Sequence, residues 1–62
     1  MCDTSAYIVR DGKEEKILED VELVEVQGDE TRIVSIFGDQ KILRARLTRF
    51  DNSQGKLLFE PL

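Results

Sequence analysis

The run Thr31-Arg32-Ile33-Val34-Ser35-Ile36-Phe37-Gly38-Asp39 decides the fold. Thr31, Ile33, Val34, Ile36 and Phe37 are β-branched or aromatic, the residue types that pack best on a pleated surface. Gly38-Asp39 then supplies a turn signal. The run reads as one strand, Thr31–Phe37, ended by a tight turn.

The same grammar recurs on both sides. Asp11-Gly12, Gly28-Asp29 and Asn52-Ser53-Gln54-Gly55 are further turn signals. Between the turns lie Thr4–Arg10, Glu14–Gln27, Gln40–Phe50 and Lys56–Pro61. Strands at this spacing predict an all-β meander that closes into a small barrel or sandwich. In Gln40–Phe50, Leu43, Ala45 and Leu47 alternate with Arg44, Arg46 and Thr48, which predicts a half-buried strand with the apolar residues inward. Phe50 breaks that alternation, so a bulge is expected between Leu47 and Phe50. Pro61 ends the last strand.

Glu14–Gln27 allows two readings. Ile17, Leu18, Val21 and Val24 make a helical stripe. The valine-rich stretch Val21–Val26 between turn residues instead suggests two short strands split near Asp20. The expected core is Tyr7, Val9, Val21, Leu23, Ile33, Ile36, Leu47, Phe50 and Leu58.

With 62 residues the chain is one domain, 1–62. Its single cysteine excludes an internal disulfide. Uninterrupted apolar runs are too short for a membrane span or a signal peptide, which predicts a soluble cytoplasmic protein. No histidine is present, so the commonest acid-base residue and metal ligand is missing. No Gly-rich phosphate loop occurs, and the paired carboxylates Glu14-Glu15 sit in a charged, surface-like segment. These features disfavour an enzyme and favour a binding or assembly role.

Two sets of residues remain as candidate sites. Residues 11–30 hold nine acids against two lysines, whereas residues 31–50 hold five basic residues against Asp39. Lys41, Arg44, Arg46 and Arg49 make the basic strip, with Arg44 and Arg46 expected on one strand face. Such strips on small β-barrels bind RNA when aromatic residues stack the bases. Here only Phe50 is interleaved with the arginines, and the net charge of −4 opposes phosphate. The plainer alternative is a solvated face that pairs with acids from the other half.

The second set is Cys2 with its neighbour Asp3. A thiolate near the terminal amine and backbone nitrogens makes a mixed S,N donor set, which suits Ni(II) or Cu(II) in planar geometry. One chain offers too few strong ligands. A two-fold dimer would double them around one shared metal, with Asp3 a weak oxygen donor. The alternative is an incidental free thiol.

Met1-Cys2, Ala6-Tyr7-Ile8-Val9, Asp11-Gly12-Lys13-Glu14-Glu15 and Leu18-Glu19-Asp20-Val21 resemble the CooT family of small nickel-binding proteins. The resemblance continues through Val24-Glu25-Val26-Gln27-Gly28-Asp29, Ile36-Phe37-Gly38-Asp39 and Leu47-Thr48-Arg49-Phe50-Asp51. It implies an SH3-like β-barrel of five to six antiparallel strands and a homodimer that holds Ni(II) through Cys2 of both subunits. It also implies an accessory role in maturing a client nickel enzyme, carbon monoxide dehydrogenase. With it, the strand reading of Glu14–Gln27 prevails. Ala45 stands where the family often has glycine, and Asn52 where an apolar residue is usual. Members have also carried a predicted RNA-binding label, so the basic strip stays as the alternative.

Overall fold

The computed structural model describes residues 4–62. Seven strands run β1 (Ser5–Arg10), β2 (Lys13–Leu18), β3 (Val21–Gln27), β4 (Glu30–Ser35), β5 (Gln40–Leu43), β6 (Ala45–Asp51) and β7 (Lys56–Pro61). The fold is all-β, and Glu14–Gln27 is two strands split at Asp20, not a helix.

Local chemistry explains the breaks. Asp11 and Gly12 both have positive φ, at 52° and 77°, the backbone of a type I′ hairpin turn. Asp20 has φ of 52° at the corner between β2 and β3, a conformation that Asp tolerates better than most residues. Gly28, at φ 59°, turns β3 into β4. Ala45 is not among the positive-φ residues, so its place in a family glycine position needs no special backbone.

The strands form a four-stranded sheet, β2-β1-β7-β6, and a three-stranded sheet, β3-β4-β5. Among the described residues no ladder joins the two into a closed barrel. The count is seven, not five to six, because the expected strand Gln40–Phe50 also breaks, at Arg44, where the chain changes sheet as it does at Asp20. The pairing is also not wholly antiparallel. β1 and β7 run parallel, with Ala6 opposite Leu57 and Ile8 opposite Phe59. The expected bulge is present: the β6–β7 register shifts between Leu47 and Arg49.

The core is Ala6, Ile8, Val21, Ile33, Ala45, Leu57 and Phe59, with Ile17, Leu18, Val24 and Leu43 packed around it. Ile33 from one sheet and Phe59 from the other are both wholly buried. Thr31 donates its hydroxyl to the Ala45 carbonyl at 3.0 Å, a buried bond between the sheets.

Of the expected core, Val21 and Ile33 are buried. Tyr7, Val9 and Leu58 are half-buried, because β1 and β7 turn their alternate residues, Ala6, Ile8, Leu57 and Phe59, inward. Both faces of these strands are apolar, so alternation fixes no phase. With Phe59 and Ile33 filling the interior, β1 supplies the small Ala6 there. Tyr7 faces outward with the Lys16 and Lys56 ammonium groups 5.9 and 5.1 Å from its ring centre. Leu23, Ile36, Leu47 and Phe50 are exposed, since they lie on outer faces or at sheet ends beyond the reach of the second layer. Of the trio expected inward on the sixth strand's run, Ala45 is buried, Leu43 half-buried and Leu47 exposed.

Asp51 closes the β6–β7 turn. Its Oδ1 accepts bonds from Ser53 Oγ at 2.7 Å, Ser53 N at 3.1 Å and Gln54 N at 3.2 Å. These bonds, the Ser53 hydroxyl first, lower its pKa, and Arg49 at 3.7 Å adds to the effect. A lowered carboxyl pKa stabilises the fold above the unfolded-state value, and that contribution is lost as pH falls through the folded-state value. Wild type should therefore lose stability below about pH 4 more steeply than Asp51→Asn, as urea titrations across pH 2–6 would show.

Ile33→Ala should cost about 2–5 kcal/mol by opening a cavity between the sheets. Ile42→Ala, at a position 64% exposed, should stay within about 0.5 kcal/mol. Urea denaturation of both variants checks the placement of the core.

Candidate functional site

Cys2 and Asp3 lie outside the described residues. The chain that follows them is firmly placed. The Thr4 carbonyl accepts a bond from Val21 N at 2.8 Å, and Ser5 N donates to the Gly55 carbonyl at 2.8 Å. Thr4 is thus held at one end of the sandwich, between the start of β3 and the β6–β7 turn. Among the described residues, no group of three or more His, Cys, Asp or Glu side chains could hold a metal ion.

A well-built turn borders the same end. Ile36 N donates to the Asp20 carbonyl at 2.9 Å, next to the residue that binds Thr4. Ser35 is buried, and its hydroxyl oxygen accepts bonds from Phe37 N and Asp39 N, both at 3.1 Å. Backbone bonds from Ser35 N to Asp39 O and from Gly38 N to Ser35 O complete the turn. This rigid support presents Phe37, which is 74% exposed, and Ile36, which is 45% exposed. The sequence reading missed Ser35 as the anchor. A serine one residue before an Ile-Phe-Gly-Asp turn was the available signal.

The basic strip is divided. Lys41 lies on β5, in the three-stranded sheet, and Arg44 at the bend between β5 and β6, outside any strand. Arg44 and Arg46 therefore do not share a strand face, as a continuous strand would require. Arg46 lies opposite Glu60, and Arg49 opposite Leu58, so the register places these two on the outer face of the four-stranded sheet. Tyr7, opposite Lys16 and Leu58, lies on that face too.

The face carries arginines on β6 and an aromatic ring two strands away on β1, but its charge is mixed. Arg49 meets Asp51 at 3.7 Å, and Lys56 meets Glu14 at 3.1 Å. The second of these pairs joins the acidic half of the sequence to its end. Arg32, on the other sheet, pairs with Glu25 at 3.1 Å.

At the opposite end of the sandwich, Val26, Thr31, Ala45, Leu47 and Leu62 line a cleft of about 200 Å³, with Arg46 and Asp29 at its rim. No helix of the described residues is long and apolar enough to cross a membrane.

No curated protein matches the chain. A crystal structure of a candidate CooT from Carboxydothermus hydrogenoformans is similar to it, with 31% identity, 98% of each chain covered and a TM-score of 0.90. Residues 1–60 match the family described as CO dehydrogenase accessory protein CooT. That span takes in β1 to β6, β7 except Pro61, and the residues before Thr4, so the chain belongs to the CooT family.

Proposed function

We propose that the protein is a non-catalytic, cytoplasmic accessory factor that binds Ni(II) as cargo for maturation of a client carbon monoxide dehydrogenase. The metal is held where two copies meet, through the Cys2 thiolate of each and adjacent backbone nitrogens, with Asp3 as an auxiliary oxygen donor. The observation that carries this reading is the family match from residue 1, which includes Cys2. Thiolate and amide nitrogen suit the planar geometry that Ni(II) favours. Sharing one metal between two chains overcomes the shortage of donors in one.

The SH3-like barrel implied by the family is supported by the two bent segments that pass from one sheet to the other, at Asp20 and at Arg44. We regard the two sheets as the halves of such a barrel, with the hydrogen bonding open between them.

The RNA-binding alternative, through Lys41, Arg44, Arg46 and Arg49, receives less support. The four residues are spread over two sheets and a bend, and Arg49 already has a carboxylate neighbour.

Titration of reduced protein with Ni(II) should saturate at one metal per two chains, with thiolate-to-nickel charge-transfer absorption. Cys2→Ser should lose both while its circular dichroism is unchanged. Tight binding retained by Cys2→Ser would refute the site. Filter binding to mixed RNA should show no salt-sensitive retention, whereas a steep salt dependence would favour the basic strip.

A further inference from the structure

Strand β6 has one free side. It pairs with β7 and ends its sheet, so among the described residues no strand lies along its other edge. Two hydrogen bonds show which backbone groups face that edge. Leu62 N donates to the Arg44 carbonyl at 3.1 Å, on the β7 side, and the Thr31 hydroxyl donates to the Ala45 carbonyl at 3.0 Å, on the other. Backbone direction alternates along a strand, so Leu47, two residues beyond Ala45, turns its N–H and carbonyl to the free edge. The register shift between Leu47 and Arg49 ends this regular run.

Beneath the edge lies the cleft of about 200 Å³. Leu47 lies opposite the buried Phe59, so its side chain faces the space between the sheets. Val26 and Leu62, on the cleft walls, are 63% and 62% exposed, which leaves an apolar socket open to water. Its volume is small beside the roughly 300–1,000 Å³ of pockets that enclose whole small molecules, and suits one aliphatic side chain.

Charge selects the kind of strand that can enter. An added strand lies about 4.8 Å from β6 and about twice as far from β7. Its outward side chains therefore meet Arg46 and Arg49 before Glu60, which lies opposite Arg46 on β7. Arg46 makes no ion pair among the described residues, whereas Arg49 lies 3.7 Å from Asp51. Asp29, the acid at the cleft rim, stands on the far wall, at the β3–β4 turn. The other free edges suit such a strand less. β2 and β3 carry Glu14, Glu15, Glu22 and Glu25, and β5 is only four residues long.

We propose that the free edge of β6 accepts an extended acidic segment of a partner protein as an added strand, with one aliphatic side chain in the cleft and acidic side chains beside Arg46 and Arg49. Leu47 supplies the ladder bonds, while Val26, Leu47 and Leu62 supply the socket. In this mode of recognition backbone bonds give affinity and alternate side chains give selection. The basic strip thereby divides by role. Lys41 stays outside the surface, and Arg46 and Arg49 guard an edge that would otherwise pair indiscriminately. The inference does not depend on the nickel reading.

The test is amide NMR of reduced full-length protein titrated with a capped hexapeptide in which glutamate alternates with leucine. The Val26, Leu47 and Leu62 amides should shift saturably, and the Leu47 amide should gain protection from solvent exchange. A lysine–leucine version and a fully N-methylated version should each bind at least about tenfold more weakly. Arg46→Glu should lose affinity by a similar factor, while Lys41→Glu on β5 should bind as wild type does. Both side chains are exposed, and circular dichroism verifies that each variant folds.

Equal binding of the lysine or the N-methylated peptide, or undiminished binding by Arg46→Glu, would overturn the added strand. So would the absence of a saturable Leu47 shift at millimolar peptide. Leu47 shifts that grow with protein concentration alone would assign the edge to a second copy of the chain and likewise overturn the proposal.

Discussion

Two sheets that share no hydrogen-bonded ladder depend on the packing between them. Phe59 reaches in from the four-stranded sheet and Ile33 from the three-stranded one, and each is wholly removed from water. Ala6 and Ala45 leave room for them, and the Thr31 hydroxyl joins the layers through the Ala45 carbonyl. A chain of this length buries only about 60% of its unfolded-state surface. Little other apolar area is buried, so how the two sheets sit on one another follows from this contact.

The shortage of interior explains the surface. A thin sandwich covers its centre and leaves apolar side chains at its ends and outer faces. At one end, backbone bonds from Val21 and Ser5 fix the start of the described chain, and the Ser35-anchored turn stands beside it. The residues before that point carry the only sulfur ligand other than Met1 in the sequence.

Electrostatics divides differently in space and in sequence. The acidic first half and the basic second half suggest two opposed surfaces. Folding instead intermixes them: Lys56 meets Glu14, Arg32 meets Glu25, and Arg46 lies across the ladder from Glu60. Exposed pairs of this kind contribute little stability. The basic strip itself is broken by the bend at Arg44, which leaves Lys41 on one sheet and Arg46 and Arg49 on the other, so residues close in sequence make no continuous positive surface.

Turn chemistry and residue type were enough for most of the strands, the hairpin turns at Asp11-Gly12 and Gly28-Asp29, and the bulge after Leu47, because these depend on local backbone preferences. For Glu14–Gln27 they left a helix open, and the family resemblance chose the strands. The family resemblance was also legible, since it rests on the order of short motifs along the chain. The inward phase of β1 and β7 was not legible. Both strands are apolar on both faces, so only the volume demanded by Phe59 and Ile33 across the interior selects Ala6 over Tyr7. Nor did the sequence reveal that the chain changes sheet at Asp20, that Gln40–Phe50 breaks at Arg44, or that β1 runs parallel to β7. Those depend on contacts between residues far apart in sequence, such as Thr4 with Val21, Thr31 with Ala45 and Ala6 with Leu57, and such contacts exist only once the chain has folded.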